Sequence, residues 1–478
     1  MAATGTRRFI GLAVPALAFL ACGCMNLGRF RADVARSRGA AFEAWQRAQA
    51  GQADTVRPRI AGDLSLEAAL LFAMGNNKQL LATLEEKEVA AGRLTEAWSA
   101  IYPIATLTGS YTRLDQVSSF SAGPQSITIG SLNNYSMNLA LNQPVFHGGA
   151  IQAGIRGARI YALLADEQIR AAVQGVLFLT RKAYCDALLA AALVTVSEGD
   201  LGLARRYRDE VAKKVKAGTA MEFDVLRAGV EIRTVEAELI ERQNALRLAK
   251  AVLLRILGVS QGSDVRLAGK LTHERVSPEL ADAVGRAFRQ RPELLLAELG
   301  IRLQHEAVKA ASAGWFPMLD LFWSGTYAKP DPHSQTTIAW GKAWSAGTNA
   351  AWTLFDGFRT QGQVRQARAK LKMQEIGLLD AEDQVLLEVQ QALLSIEDAE
   401  KLIASQSANI EQAREGLRLA EVAYRGGAKA EIDVLDTRQA LSRTQAIYYR
   451  ALHAHTMALL ALERATGALE PPAKGAQK

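Results

Sequence analysis

The sequence is poor in the residues that build small disulfide-rich or all-β proteins. Its 478 residues include only three cysteines and 12 prolines, and aromatic residues make up 6% of the chain. Cys22 and Cys24 lie near the N-terminus and Cys185 is isolated, which excludes a disulfide framework or a Cys-x-x-Cys metal pair. Long proline-free stretches rich in Ala, Leu, Glu, Arg and Gln favour a mainly helical protein. We therefore expect Cys185 to be a small core residue.

Charge of one sign is not concentrated anywhere in the chain. The formal net charge is +7, but Lys and Arg are spread along helical segments beside Glu and Asp. Nucleic-acid-binding proteins carry basic stripes, often with interleaved aromatic residues, and none is present here. The sequence predicts no nucleic-acid partner.

Motifs of catalysis and cofactor binding are also missing. The chain has no P-loop, no HExxH and no GxGxxG. Residues 258–262 match the GxSxG spacing around Ser260, but they follow a helical pattern instead of a strand, which indicates a chance match. His453 and His455 are two residues apart, so they point in different directions on a helix. We predict no enzyme activity, no cofactor and no metal site.

Long hydrophobic runs are confined to the N-terminus. Arg7 and Arg8 precede an apolar run over 9–21, which is too short to span a bilayer and suits a secretory signal. Small residues directly before Cys22 and Cys24 resemble the lipobox of bacterial lipoproteins, so acylation of either cysteine is expected. Ordinary cleavage after small residues is the alternative. No other stretch reaches 18 apolar residues without charge, so any membrane crossing must be made by strands.

The sequence contains an internal repeat, in which one half of the chain aligns with the other. At an offset of 209 residues, 145–258 aligns with 354–467 without a gap, and upstream the offset becomes 214. The matches include Gly218 with Gly427 and Asp224 with Asp433. We predict these segments: signal peptide 1–21, lipidated N-terminal segment 22–61, first repeat 62–258, linker 259–274, second repeat 275–467 and polar tail 468–478.

Each copy has two stretches of alternating polarity after its first helical segment. In the first copy Tyr135, Met137, Leu139 and Leu141 alternate with polar or small residues, and the second copy alternates over 319–327 and 344–352. Strands of about ten residues have the length of a tilted transmembrane strand. We expect the four apolar residues to face lipid. The edge of a soluble β-sandwich would give a similar alternation.

Each strand pair is followed by a long helical stretch. The first runs from about residue 147 to 214 without proline, a length of roughly 100 Å. It breaks at Gly218, and the second copy breaks at Gly426 and Gly427. A shorter helix then returns, with apolar positions typical of helix packing.

This arrangement resembles the TolC-like outer-membrane efflux and secretion channels over residues 62–467. The most specific matches are Pro-Val-Phe-His-Gly-Gly at 144–149, Leu-Phe-Asp-Gly at 354–357 and the two Gly-to-Asp-Val-Leu segments. The resemblance implies a mainly α fold of two tandem repeats, with long antiparallel coiled-coil helices. Four transmembrane strands per chain would form a small membrane β-barrel in a homotrimer, so that the assembly is an α/β tunnel.

The resemblance also implies roles at the helical turns, which form the periplasmic tip in the family. Asp433 and Asp436 would line the pore constriction, while Tyr424 and Lys429 would form gating links facing Asp224. Gly218, Gly426 and Gly427 would make the turns. Lys429 stands at a position where the family commonly has an arginine, and lysine cannot form the same two-pronged ion pair. Stabilisation of a helix N-terminus is the alternative role for Asp433 and Asp436.

The resemblance implies a passive outer-membrane conduit in a Gram-negative bacterium. It would work with a periplasmic adaptor and an inner-membrane pump in a tripartite efflux system that exports small molecules. A type I protein secretion system is the alternative within the family. A periplasmic coiled-coil scaffold without strand pairs and a hydrolase using Ser260 are alternatives of other classes.

Overall fold

The computed structural model of the protein describes residues 27–49, 58–122, 125–334, 337–429 and 431–472. Cys22, Cys24 and the expected signal peptide lie outside these residues. The helices are α1 (Leu27–Gln49), α2 (Leu66–Asn76), α3 (Lys78–Leu84), α4 (Glu86–Ser99), α5 (Ala150–Lys216), α6 (Glu222–Leu257), α7 (Leu280–Gln290), α8 (Pro292–Ser312), α9 (Arg359–Arg425) and α10 (Glu431–Ala465). The strands are β1 (Ala61–Leu64), β2 (Ile104–Arg113), β3 (Ser118–Ala122), β4 (Gln125–Ile129), β5 (Asn133–His147), β6 (Asp264–Leu267), β7 (Met318–Lys329) and β8 (Gly341–Ala351).

The structure confirms the internal duplication. Each copy contains short helices, a strand pair, a helix of 67 residues and a return helix of 36 or 35 residues. Strands β2 and β7 both begin directly after a proline, Pro103 in one copy and Pro317 in the other. Leu80 and its match Leu294 are both buried. The offsets found in the sequence therefore correspond to equivalent positions in the order of helices and strands.

The helical segment that precedes the strands is divided into short helices in both copies. Asn77 ends α2 and caps α3, because its side-chain oxygen accepts the N–H groups of Gln79 and Leu80. In the second copy Pro292 begins α8 at a position where its missing N–H costs nothing. The breaks allow the short helices to follow the surface of the long ones.

Four strands form one antiparallel sheet in the order β2-β5-β7-β8. The register pairs Leu107 with Leu139 and Leu141 with Trp323, and it shifts at a bulge between Pro144 and Phe146. Strands β3 and β4 form a separate hairpin between β2 and β5, which the sequence analysis does not predict. The two strand pairs of the two copies therefore join side by side through β5 and β7.

The long helices form a layer in the order α6, α5, α10, α9, and the short helices pack on α5 and α9. Polar contacts join the two copies at the centre of this layer: Asp200 with Ser442, Asp186 with His453, and Arg181 with Glu463. Among the described residues, α5 alone has a window that is apolar and long enough to cross a membrane. Since α5 packs on α4, α6, α8 and α10, this is weak evidence for a span.

A two-stranded parallel sheet joins the N-terminal segment to the region between the copies. Strand β1 pairs with β6 from Ala61 opposite Asp264 to Leu64 opposite Leu267. Tyr184 on α5 donates a hydrogen bond to the carbonyl of Leu64 at 2.9 Å. Strand β1 thus crosses the boundary predicted at residue 61, and β6 lies inside the predicted linker. Cys185 is buried beside this contact, as expected, and burial raises its pKa to about 11.

Candidate functional site

One face of the four-stranded sheet is apolar and exposed. The register places Tyr135, Met137, Leu139 and Leu141 on the same face, and each is exposed. Their cross-strand neighbours on that face include Leu107, Tyr111, Trp323, Tyr327 and Trp344. Trp344 is 73% exposed. A contiguous apolar surface of this kind is typical of a region that contacts lipid or another apolar phase.

The opposite face of the sheet carries polar and small side chains. Ser136, Asn138 and Ala140 are half-buried and alternate with the exposed apolar residues of β5. Ser324 on β7 donates a hydrogen bond to Asn138 Oδ1 at 2.8 Å across the strands. This alternation is the one expected for a barrel wall with a polar lumen.

Aromatic side chains gather at both ends of the sheet. At the loop end, Trp340 stacks on Tyr327 with ring centroids 4.8 Å apart, and it also contacts Tyr135. At the helical end, the indole N–H of Trp352 donates to the carbonyl of Trp315 at 3.1 Å, and both side chains are exposed. Two aromatic bands separated by an apolar face are typical of the two interfaces of a bilayer.

The junction between sheet and long helix uses matched backbone conformations. Gly148 and Gly357 have φ values of 61° and 65°, in the left-handed region that favours glycine. The next pair is Gly149 with φ of 88° and Phe358 with φ of 66°. His147 Nε2 lies 2.9 Å from Asp320 Oδ1, which joins the end of β5 to β7 at this junction.

The other ends of the long helices are two equivalent turns. Gly218 and Gly427 have φ values of 74° and 75°. In the first turn the N–H of Thr219 donates to the carbonyl of Lys214, and in the second the N–H of Ala428 donates to that of Ala423, both at 2.9 Å. These are Schellman motifs, which end a helix with a left-handed glycine. Gly426 directly precedes the left-handed position in the second turn.

The two turns lie side by side. Tyr424 contacts Lys214, whose Nζ lies 3.6 Å from the ring centroid, and Tyr207, whose ring centroid is 5.7 Å away. Buried residues of both copies form one apolar cluster beneath them: Val211, Ala228, Leu417, Ala420, Val434 and Leu441. We call this end of the layer the helical tip.

Four of the predicted tip residues carry charge. Asp224 is half-buried, and its Oδ2 accepts the N–H of Met221 at 2.9 Å, so it stabilises the start of α6. Asp433 is half-buried and Asp436 is exposed, both in the first two turns of α10, and Lys429 is exposed before that helix. Within the described part of one chain, no hydrogen bond or ion pair joins Asp224 to Tyr424 or Lys429.

A buried arginine lies behind the tip, and the sequence analysis does not identify it. Arg438 is 6% exposed and its guanidinium lies 5.3 Å from the ring centroid of Tyr207. Burial lowers its pKa, while the nearby charges of Glu421, Glu231 and Asp200 oppose that change. It lines a cavity of about 210 Å³ between the two copies. Arg438 therefore links the start of α10 to α5 and α9.

Ser260 is not in a catalytic arrangement. It is buried, its N–H donates to the carbonyl of Pro58, and it follows the glycine that ends α6. A nucleophile elbow exposes its serine between a strand and a helix. The GxSxG spacing here belongs to the turn between α6 and β6.

Comparison with known proteins identifies the family. The family model described as outer membrane efflux protein matches residues 72–259 and 283–468, one segment in each copy. These segments cover most of the chain, so the chain belongs to the outer membrane efflux protein family. It is an outer-membrane channel, as the sequence analysis predicts. Members of this family function as trimers with periplasmic adaptors and inner-membrane pumps.

Individual relatives agree in sequence and in fold. The chain is 27% identical over 320 residues to protein CyaE of Bordetella pertussis, covering 66% of each chain. It is 24% identical over 420 residues to the outer membrane efflux protein BepC of Brucella suis, covering 86% of this chain and 87% of BepC. The crystal structure of VceC from Vibrio cholerae superposes with a TM-score of 0.72 at 20% identity, covering 84% of this chain and 96% of VceC.

Proposed function

We propose that three copies of this chain form a passive conduit from the periplasm across the outer membrane. The observation that carries the proposal is the four-stranded sheet with one exposed apolar face. Strands β2 and β8 lie at its edges, and unpaired backbone groups at a sheet edge are not tolerated in lipid. A four-stranded sheet cannot close on itself, whereas copies placed edge to edge can form a closed barrel.

The helical layer supports the same assembly. Helices α6 and α9 lie at the ends of the layer. Both carry exposed apolar side chains along their length: Phe223, Leu226, Val230, Ile240 and Leu248 on α6, and Met373, Ile376, Leu387, Leu394 and Leu402 on α9. Contact between α6 of one copy and α9 of the next would cover both sets and close a tunnel. A periplasmic scaffold surrounded by water would not be expected to expose an apolar sheet face.

The conduit would serve a tripartite efflux pump that exports small molecules, with a periplasmic adaptor and an inner-membrane pump. The match to BepC, an outer membrane efflux protein, covers more of the chain than the match to CyaE does. Relatives also include the alkaline protease secretion protein AprF of Pseudomonas aeruginosa, which favours type I secretion as the second candidate. Deletion of the gene distinguishes them, because efflux predicts greater sensitivity to small toxic compounds with unchanged protein secretion.

The barrel is tested by cysteine labelling along β5. Single cysteines at 135–142 should react alternately with an aqueous reagent in outer-membrane preparations. Tyr135, Met137, Leu139 and Leu141 are expected to be protected by lipid, while Ser136, Asn138 and Asn142 react. Uniform labelling would contradict a barrel wall, and a protein that migrates as a monomer without heating would contradict the trimer.

At the helical tip, Asp433 and Asp436 of three copies would form an acidic constriction. Their i, i+3 spacing places both at the start of α10 on one face, so they can line the opening at successive depths. Because no hydrogen bond or ion pair joins Asp224 to Tyr424 or Lys429 within the described part of one chain, gating links among these residues would have to form between neighbouring copies. The Schellman turns at Gly218, Gly426 and Gly427 would place them there.

The N-terminus would be anchored by lipid. The short apolar run over 9–21 and the small residues before Cys22 and Cys24 support cleavage and acylation at one of these cysteines. Mass spectrometry of the mature N-terminus tests this directly. An unmodified terminus at another residue would contradict the anchor and leave the conduit unaffected.

A further inference from the structure

The segment between the two copies brings together three side chains of metal-binding types. His273 lies on this segment after β6, Glu400 on α9 and His455 on α10. One ligand atom from each lies within 4.8 Å of the others. The rings of His273 and His455 meet edge to face with centroids 4.8 Å apart, and His455 Nε2 lies 3.8 Å from Glu400 Oε1.

His455 is a buried polar residue of α10. It is 1% exposed, and neither of its ring nitrogens has a hydrogen-bond partner among the described residues. The 3.8 Å separation from Glu400 is too long for such a bond. A buried polar atom left unpaired costs about 1–3 kcal/mol. His453, two residues earlier, faces the other way and pairs with Asp186 at 2.7 Å.

The surroundings position the other two side chains. Glu400 Oε1 accepts the N–H of Val276 at 3.1 Å, which orients the carboxylate as is common for metal ligands. On the other side of His273, Leu271 packs against the cluster of Ile403, Ala451 and Leu452. His273 itself is exposed, so an ion can enter from solvent.

We propose that His273, Glu400 and His455 bind one divalent transition-metal ion of the zinc class. Two imidazoles and one carboxylate are ligands that zinc accepts, with solvent at the fourth position. Ligand atoms around tetrahedral zinc are about 3.3 Å apart, so the cluster must contract by roughly 1.5 Å. Rotation of the exposed His273 side chain supplies that movement. The bound ion fixes the segment between the copies to α9 and α10 and gives His455 its missing partner.

The test uses the purified full-length protein in detergent, with an affinity tag that contains no histidine. After treatment with a chelator, the protein is titrated with Co²⁺ as a spectroscopic probe and then with Zn²⁺ in competition. We expect one Co²⁺ per chain with the visible absorption bands of tetrahedral coordination. His273→Ala and Glu400→Gln should each weaken binding by roughly tenfold or more. His453→Ala is the matched control on the same helix and should bind as the wild type does.

A second measurement separates binding from folding. Zn²⁺ should raise the thermal unfolding temperature of the wild type and of His453→Ala, because a ligand of the folded state stabilises it. At the same Zn²⁺ concentration the rise should be clearly smaller for His273→Ala. Absence of stoichiometric Co²⁺ binding would overturn the proposal. Equal binding by His273→Ala, Glu400→Gln and the wild type would overturn it as well.

Discussion

The two copies of the repeat keep the same backbone conformations while their side chains differ. Gly218 and Gly427 adopt the same left-handed turn, and so do Gly148 and Gly357. At the following junction position, however, the first copy has Gly149 and the second has Phe358. The turn therefore persists without the residue that favours it. Packing between sheet and helix must determine the conformation there, at the expense of local strain.

Matched glycines also differ in what surrounds them. A Cβ atom on Gly148 would lie 2.4 Å from the carbonyl oxygen of Ala313, whereas one on Gly357 would meet nothing within 4 Å. The glycines that end α6 and α10 are alike in this respect. A Cβ atom on Gly258 would collide with the backbone of Asn76, and one on Gly467 with the backbone of Gln290. Both copies thus favour glycine at these positions because of the positive φ. Whether a side chain would also collide there depends on the neighbouring residues, which differ between the copies.

The largest difference in stability between matched variants is expected at the junction between the sheet and the long helices. Gly148→Ala should lower stability by several kcal/mol, because the new methyl group collides with the backbone of Ala313 in addition to the positive φ. Gly357→Ala should cost only about 1–2 kcal/mol from its positive φ. Thermal unfolding of the two purified variants in detergent compares them. Equal losses would contradict a role for the contact with Ala313.

The second comparison concerns charge at the helical tip. Position 436 is Asp in the second copy, and its match in the first copy is Arg227. Asp433→Ala with Asp436→Ala should lower the cation-to-anion permeability ratio by about threefold or more, and Arg227→Asp should raise it. Single-channel recordings in planar bilayers measure the ratio. Asp282→Ala is the control, because Asp282 lies in the first turn of α7 and outside the helical tip, so this variant should leave selectivity unchanged.

If the double variant keeps the wild-type selectivity, Asp433 and Asp436 do not line a constriction. Their role would then be the stabilisation of the α10 N-terminus. A double variant that fails to fold would show that this stabilisation is the larger effect.

The third comparison concerns a carboxylate that only the second copy has: Glu306 matches Gly92 in the first copy. Glu306 accepts hydrogen bonds from Arg156 at 2.8 Å and Lys309 at 2.7 Å. Burial alone would raise its pKa, but these bonds outweigh burial, so the pKa lies below its ordinary 4.5. The stabilisation is therefore complete above the unfolded pKa and is lost as pH falls through the folded pKa.

Glu306→Gln should consequently cost about 1–2 kcal/mol at neutral pH and less in acid. Thermal unfolding from about pH 7 to about pH 3 measures the difference between variant and wild type. A difference that stays constant across this range would show that the charge of Glu306 does not contribute.

The smallest effect is expected at Phe358. Phe358→Gly removes the strain of a left-handed phenylalanine and should raise stability by about 1 kcal/mol or less. It also removes an edge-to-face contact with Phe355, whose ring centroid is 5.5 Å away. Gly149→Ala, at the matched position, should change stability in the opposite direction. A loss of stability in Phe358→Gly would show that the aromatic contact outweighs the strain.

The features that recur in the sequence are those that it predicts well. Gly218 and Gly427 occupy matched positions because each ends a long helix in the same way, and the gapless match of 145–258 with 354–467 makes that visible. The alternation around Leu139 predicts which face of β5 is exposed, since successive side chains of a strand point to opposite faces. Asp224 accepts the N–H of Met221 at the start of α6, which is the alternative role of an acid after a glycine break, and its part in a gating link stays a prediction.

Sites formed by residues that are far apart in the sequence cannot be predicted from repeats or local patterns. His273, Glu400 and His455 come from three segments with no common spacing, so no local pattern indicates that they meet. Arg438 resembles any other arginine on a helix, and its burial depends on packing between the two copies. Strands β1 and β6 are four residues long, too short for their period to be recognised.

The pairing of β1 with β6 has a consequence for the order of folding. Partner residues such as Ala61 and Asp264 are 203 positions apart, so the contact closes a loop that contains nearly the entire first copy. Loop closure of this length carries an entropic cost that local helix formation does not. The pairing of the N-terminal segment with β6 is therefore expected to form late, after the local helices of the first copy. Once formed, this small sheet holds the two ends of the first copy together.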